Sequence, residues 1–433
     1  MKRSSLFVLC LAVVATAAPP ASASPARSER GRYIVVLRDS VDRPGSVAAD
    51  HAARFGPGVS FVYRAALKGY AATLIEPAAA RISRDPRVAW VELDRLMHAT
   101  AQSLPTGVDR IQADAGSQVA GNGEGAVPGP AVAVIDTGID LDHPDLNVIA
   151  SVNYTGGSPF RKKCGTGGDD DNGHGTHVAG TVGARDDSNG VVGVAPGAPL
   201  VAVKVLNSKG SGYTSWIAAG IDWVAANAAS RGIDVANMSL GGSGSDDGNC
   251  GNSNNDAMHK AVGGLVIDSG VTLVAAAGNS TRDLAGFVPA AYDEVLTVTA
   301  VADFNGQSGG GGAATCRSDV DDTAADFSNW AAVTSTDSAH TIAAPGVCIR
   351  STWLAGGYNT ISGTSMASPH VAGTVALCLS LPNPTCSGTP AQIATKLRTD
   401  AAGAPDAYGF VQDPDSSPIS GRYYGYLEYA GGY

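Results

Sequence analysis

Gly363-Thr-Ser-Met-Ala-Ser-Pro369 runs on into His-Val-Ala-Gly-Thr-Val-Ala-Leu-Cys-Leu379, small and apolar over about four helical turns. The run predicts a buried helix with Ser365 in its first turn. In that position free backbone N–H groups and the positive end of the helix dipole face whatever the serine touches. Two roles suit such a serine. It can cap the helix, or it can be a nucleophile whose reaction builds an oxyanion. The stretch alone leaves both open, and the rest of the chain decides.

From residue 101 onward, Gly- and Ala-rich strands alternate with helices. Ala131-Val-Ala-Val-Ile135 is a wholly apolar strand. Strands are also expected at 200–206, 233–238, 271–275 and 295–301. Helices are expected at 174–184, 213–229 and 255–267. This alternation implies an α/β domain with a mainly parallel sheet covered on both faces, three layers in all. Ligands of such sheets meet the carboxyl ends of the strands. Asp136, in Asp136-Thr-Gly138, and Asn279, in Ala275-Ala-Ala-Gly-Asn279, both fall just past such an end. Asn172-Gly-His-Gly-Thr-His177 opens a helix.

With Ser365 these residues make an Asp, His, Ser set. A serine hydroxyl is a poor nucleophile at neutral pH. It needs an imidazole to take its proton, and the imidazole needs a carboxylate to fix its tautomer and stabilise its cation. Attack on a carbonyl also needs donors for the oxyanion. Asn279 and the Ser365 backbone N–H are the candidates.

These motifs resemble the subtilisin family of serine proteases, the subtilases. The three signatures stand at Asp136-Thr-Gly, His174-Gly-Thr-His and Gly363-Thr-Ser-Met-Ala-Ser-Pro. The resemblance implies a subtilisin-like three-layer fold and a secreted serine endopeptidase. In it Asp136 orients His174, His174 acts as base and then acid, Ser365 attacks, and Asn279 stabilises the oxyanion. It implies that Gly210, Ser211 and Gly212 pair with an extended peptide substrate. Ser239, Leu240 and Gly241 would oppose them, and Ala276 and Gly278 would wall the first pocket. Main-chain pairing of this kind is tolerant of sequence. Near the pocket floor, at Gly286-Phe287, no acid is committed to basic side chains, so broad specificity favouring apolar residues is expected.

The resemblance also implies a structural Ca²⁺ held by Gln102, Asp145 and Asp187 with carbonyls of Arg185, Asn189 and Val191. Hard oxygen donors suit that ion. Arg185 is a departure in residue type. His177 lies three residues from His174 and near Asp169, Asp170 and Asp171, but with no further ligand apparent it is read as structural rather than metal-binding.

Residues 24–100 read as β-α-β-β-α-β, a small ferredoxin-like α+β unit. They resemble the family's inhibitory I9-like propeptide, which also acts as an intramolecular chaperone. Ala101-Gln-Ser103 resembles a mature N-terminus, so self-cleavage is expected between Thr100 and Ala101, with residues 96–100 in the active site beforehand. Residues 1–100 carry 14 Lys+Arg against 8 Asp+Glu, a balance of +6, and residues 101–433 carry 15 against 32, a balance of −17. Opposite charge favours docking of the two parts. The acidic body argues against a nucleic-acid partner.

The first 23 residues, basic, then apolar, then Ala21-Ser-Ala23, read as a secretory signal. No membrane segment follows, and a monomer is expected. Six cysteines remain beyond Cys10. An even count in a secreted chain suggests three disulfides, with fifteen connectivities open. The pairing expected is Cys164–Cys250, Cys316–Cys348 and Cys378–Cys386. No Cys-x-x-Cys spacing points to zinc. Residues 305–326, Gly-rich around Cys316, are expected to form a disulfide-tied surface loop. Residues 425–433 are expected to end a last helix.

Two rivals fit less well. An α/β-hydrolase esterase places its nucleophile in Gly-x-Ser-x-Gly with the histidine later in the chain. Here the fifth residue is Ala367, and His370 follows within the same helix. A non-catalytic binding protein of the same fold is favoured by loss of a triad residue, and none is lost.

Overall fold

The computed structural model describes residues 30–56, 58–94, 102–116, 120–123, 126–156, 167–380 and 384–433. The signal segment, the expected cleavage point and Cys164 lie outside these residues. The chain divides into two units, Met1–Ala99 and Thr100–Tyr433.

The first unit runs β1 (Arg30–Leu37), α1 (Pro44–Phe55), β2 (Gly58–Tyr63), β3 (Gly69–Ile75), α2 (Glu76–Ile82) and β4 (Val88–Leu93). Its antiparallel sheet has the order β2-β3-β1-β4, the ferredoxin-like arrangement. Val35, Leu37, Tyr70, Leu74, Ile82 and Val88 form its core. Phe61, Trp90 and Leu93 remain exposed on the sheet strands.

The second unit begins with α3 (Thr106–Arg110), β5 (Ala131–Asp136), β6 (Val148–Asn153), α4 (His174–Gly183), β7 (Leu200–Lys204), α5 (Thr214–Arg231) and β8 (Ile233–Met238). It continues with β9 (Gly242–Ser243), α6 (Ala257–Gly263), β10 (Thr272–Ala276), β11 (Phe287–Val288), β12 (Leu296–Ala302), β13 (Thr323–Ala324), β14 (Ala331–Ala332) and β15 (Thr341–Pro345). β16 (Ile349–Trp353), β17 (Gly357–Ile361), α7 (Thr364–Cys378), α8 (Pro390–Ala402) and β18 (Arg422–Tyr423) complete it.

The parallel strands lie in the order β6-β7-β5-β8-β10-β12-β15, and β13 adds antiparallel to β12. β6 and β7 lie on one side of β5, and every later strand lies on the other. The strand order therefore reverses at β5, and a crevice opens at its carboxyl end. Asp136 is the last residue of β5.

Side chains alternate along each strand. On β5, Val132 and Val134 enter a core with Val178 and Val182 of α4 and Val371 and Val375 of α7. Ala133 and Ile135 enter the opposite core with Ile221 and Val224 of α5 and Val262 of α6. Burial on both faces is why these strands read as continuous apolar runs.

Three expectations need correction. The helix expected over 255–267 is α for Ala257–Gly263 only, and Gly264–Asp268 is a π turn. The last nine residues end no helix. Ala343 N–H donates to Tyr426 and Glu428 N–H to Ala343, so the tail runs extended beside β15. Gly425 sits at φ +88, and a Cβ there would meet the Ile342 Cα at 2.7 Å, so the backbones touch only because it is glycine.

The third correction concerns the cysteines. Cys316–Cys348 and Cys378–Cys386 are bridged, but Cys250 is free and its thiol donates to Glu294 Oε1 at 3.0 Å. The first bridge ties down the 305–326 loop. Deeper in, buried Arg110 on α3 braces this loop through Asp322 Oδ1 at 2.9 Å and the end of β12 through Asp303 Oδ2 at 3.3 Å.

Candidate active site

His174 is the first residue of α4. The first turn of a helix leaves backbone N–H groups without intrahelical acceptors. Here side chains take all of them. His174 N–H donates to Asn172 Oδ1 at 3.2 Å, Gly175 N–H to Thr137 Oγ1 at 2.8 Å, and Thr176 N–H to Asp170 Oδ2 at 3.0 Å. Asp170 also accepts from Asn172 and Gly173 N–H. The Asp169–Asp171 run is thus spent on structure: Asp170 holds the helix start, and Asp171 pairs with buried Lys204 at 2.6 Å.

Asp136 is fully buried at the end of β5, and its Oδ1 lies 2.7 Å from His174 Nδ1. Thr137 N–H donates to the same oxygen at 2.7 Å. The His174 side chain keeps 26% of its surface exposed, so its outer face reaches the cleft. Burial pulls its pKa down, but the Asp136 carboxylate outweighs this and holds it above the ordinary 6.5. His177, one turn on, is fully buried with Nε2 2.9 Å from the Ile349 carbonyl. Burial pushes its pKa down to about 3, so it stays neutral.

Ser365 is the second residue of α7. Thr364 N–H and Oγ1–H both donate to Asn279 Oδ1, at 2.8 and 2.9 Å. Two donors on one oxygen settle which way the amide lies, so Asn279 presents Nδ2 as its free donor end. Thr364 Oγ1 in turn accepts from Gly278 N–H at 3.0 Å. Met366 N–H turns back to the Gly363 carbonyl at 2.9 Å, whereas Ser365 N–H has no acceptor among the described residues.

Pro369 lies inside α7 and has no N–H, so the Ser365 carbonyl lacks its usual helical donor. Ser239 Oγ–H supplies one at 2.8 Å. Asn237 Nδ2 donates to Ser239 Oγ at 2.9 Å, and Ser368 Oγ–H donates to Asn237 Oδ1 at 2.6 Å. Ser365 Oγ–H donates to the Ser239 carbonyl at 3.2 Å. The Asn237, Thr364 and Ser368 roles were not foreseen, although all three residues lie inside or beside the quoted motifs.

One open cleft of about 580 Å³ joins these parts. Its lining includes His174, Ser365 and Asn279, and also Gly210, Ser211, Gly212, Ser239, Leu240, Gly241, Ala276 and Gly278. The 208–212 segment follows β7 and is exposed, and the 239–241 segment follows β8. Phe287 stands between Gly241 and Gly278, so closely that a Cβ at Gly241 would meet its ring at 2.4 Å. Among the described residues no Asp or Glu lines the cleft.

The candidate calcium residues also gather. Gln102 Nε2 donates to the carbonyls of Arg185 and Val191, at 2.7 and 3.3 Å. Asp145 Oδ2 accepts from Val191 N–H, while Oδ1 is buried without a hydrogen bond. Burial pushes the Asp145 carboxyl up to about 6. Asp187 Oδ1 accepts from Asn189 N–H. Arg185 extends to the Leu146 carbonyl, so only its backbone faces Gln102.

A carboxylate-bound imidazole, a serine on a free helical turn and an anchored amide, set at the carboxyl ends of a parallel sheet, define the serine peptidase class. The comparisons agree. Residues 128–426 match the Subtilase family model, and residues 32–100 match Peptidase inhibitor I9. The chain is 40% identical to Subtilisin E of Bacillus subtilis (strain 168) over 335 residues, 76% of this chain and 74% of that one. It is 37% identical to an alkaline protease of Alkalihalobacillus alcalophilus over 325 residues, 75% of this chain and 72% of that one. It also resembles the crystal structure of a cold-adapted subtilisin-like serine proteinase. That match has 33% identity and a TM-score of 0.54, and covers 75% of this chain and 97% of that one. The chain belongs to the subtilase family. It is a serine endopeptidase carrying an I9 propeptide.

Proposed function

We propose that Ser365 is the nucleophile of a secreted, autoprocessed endopeptidase and that Asp136 and His174 activate it. The observation that carries this is the 2.7 Å Asp136–His174 contact in the same cleft as Ser365 and Asn279. His174 Nδ1–H is held by Asp136, leaving Nε2 to take the Ser365 proton once the hydroxyl turns away from the Ser239 carbonyl. Ser365 Oγ attacks the scissile carbonyl, and Ser365 N–H and Asn279 Nδ2–H receive the oxyanion. His174 returns the proton to the leaving amine. Water then repeats the sequence in reverse to release the acyl group.

The exposed backbone at 210–212 and the 239–241 segment pair with an extended peptide. A first pocket bounded by Ala276, Gly278 and Phe287, with no acid in its lining, favours apolar side chains.

The oxygen set around Gln102 fits Ca²⁺. The Arg185 and Val191 carbonyls converge on Gln102 Nε2, which a cation would displace as the amide turns over to present Oε1, and the orphaned Asp145 oxygen calls for a cation. Gln102, Asp145 and Asp187, with the carbonyls of Arg185, Asn189 and Val191, would hold it. The ion would pin the loop that follows α4. Secretion rests on residues 1–23. No helix among the described residues is long and apolar enough to cross a membrane.

The test is the mass and N-terminal sequence of the chain expressed without its signal, beside Ser365→Ala. Wild type starting at or near Ala101, with the variant retaining residues 24–100, is the expected result. Identical cutting of both proteins assigns the cleavage to another protease. For calcium, chelator lowers the melting temperature of wild type, and Asp145→Ala removes most of that dependence. A chelator effect of equal size in both proteins rejects the ligand assignment.

A further inference from the structure

The loop after β9, the start of α6 and the turn before β12 bring together a second set of titratable groups. None of them lines the cleft. His259 on α6 is wholly buried, and its ring stacks on Tyr292 at 3.9 Å between centroids and 3° between planes. Tyr292 Oη–H donates to Asp256, which caps the same helix. The imidazole is therefore fixed before any ligand arrives.

Two carboxylates converge on one of its nitrogens. Glu294 Oε2 lies 3.0 Å and Asp246 Oδ1 3.3 Å from His259 Nε2. A single N–H cannot serve both, and Asp246 Oδ1 is left buried with no hydrogen bond. Asp247 is pinned by the N–H groups of Asn249, Gly251, Ser253 and Asn254, and places Oδ1 3.2 Å from His259 Nδ1. The free thiol of Cys250 lies 3.0 Å from the other Glu294 oxygen.

We infer that Asp246, His259 and Glu294 bind one divalent transition-metal ion, zinc by donor type, with Cys250 as its fourth ligand. The three donor atoms lie within 4.8 Å of one another; Cys250 lies outside that set, against the other Glu294 oxygen, and must turn toward the ion to complete it. Tetrahedral zinc holds such ligands about 3.3–3.7 Å apart. The 3.0 and 3.3 Å separations of the two carboxylates from His259 Nε2 are close to that without movement of the backbone. Asp247 opposite Nδ1 stands where a carboxylate commonly orients a zinc-bound histidine. A set of four protein ligands is closed, so the ion is structural and braces residues 245–256 against α6. The competing account is a His259 ring held by hydrogen bonds among Asp246, Asp247 and Glu294 with no metal at all.

The experiment uses the full chain without its signal, carrying Ser365→Ala to prevent self-digestion. It is stripped by chelator and kept in calcium. Calorimetric titration with zinc is expected to show one saturable equivalent and a raised melting temperature. Cobalt is expected to give a tetrahedral visible spectrum with a thiolate charge-transfer band, lost in Cys250→Ala. His259→Gln should weaken zinc binding at least tenfold. Asp246→Asn, at a partly buried position of the loop, provides the same test should the His259 variant not fold. Zinc binding that survives both substitutions is an adventitious ion only and overturns the site, as does the absence of saturable binding in the parent. Tetrahedral cobalt without a thiolate band overturns the place of Cys250.

Discussion

Two helices carry the site, and their first turns are built in opposite ways. In α4 side chains satisfy the N–H groups of His174, Gly175 and Thr176. In α7 the Thr364 N–H is taken by Asn279, but the Ser365 N–H is left without an acceptor among the described residues. A saturated helix start is inert and rigid, which suits a residue that must hold one orientation against a buried carboxylate. An unsaturated one is a standing invitation to negative charge. In the proposed mechanism the same backbone geometry therefore yields a mount for a base in one case and half of an oxyanion site in the other. The difference lies entirely in which side chains reach back to the helix start.

The contrast breaks most sharply at the nucleophile. Ser365→Ala should abolish peptide hydrolysis and self-cleavage while leaving the melting temperature of the unprocessed chain within a few degrees. The loss known for subtilisin itself is about 10⁶ in kcat, and a residual rate above about a thousandth of wild type would remove Ser365 from that role.

Next is Asp136→Asn, for which a fall of about 10⁴ in kcat is expected from the tautomer argument. It also predicts a pH effect. His174 must be neutral to act as base, and the Asp136 carboxylate raises its pKa above 6.5. Wild-type kcat/KM should therefore fall with acid through a midpoint above 6.5. With the carboxylate gone, burial dominates and the midpoint should move lower. An unmoved midpoint would show that another group sets the limb.

On the α7 side, Asn279→Ala removes the second donor of the proposed oxyanion site. About 10²–10³ in kcat is the figure known for such an asparagine in a subtilisin, with KM nearly unchanged. A rise in KM alone would make Asn279 a binding residue.

The smallest effect tests the proline. Ser239→Ala leaves the Ser365 carbonyl without a donor, and one hydrogen bond of about 1 kcal/mol corresponds to roughly fivefold in kcat. Pro369→Ala restores a helical N–H, so Ser239→Ala should cost less in that background. Additive losses across the four proteins would sink the coupling.

Much of this was legible along the chain. Asp136-Thr-Gly, His174-Gly-Thr-His and the Ser365 motif are local patterns whose residue types have few other uses in that order. The central strands were legible because burial on both faces leaves continuous apolar runs. Less legible were β15 and the tail beside it. Thr341-Ile-Ala-Ala-Pro345 is short and Ala-rich, and residues 425–433 become extended only because β15 is there to pair with. The third disulfide was misread because an even cysteine count says nothing about which thiols meet.

Residue types and their order, then, were enough to name the groups of the proposed chemistry: a carboxylate, an imidazole, a hydroxyl and an amide, each next to a recognisable element boundary. Tertiary structure alone decided how they act together. It set Asp136 against His174 across 38 residues and turned the Asn279 amide by its contact with Thr364, 85 residues away. It also gave the Ser365 carbonyl a donor from Ser239, 126 residues distant. Hydrogen bonds depend on distance and angle in space, and no spacing along a chain encodes those until the sheet has folded and its carboxyl ends share one crevice.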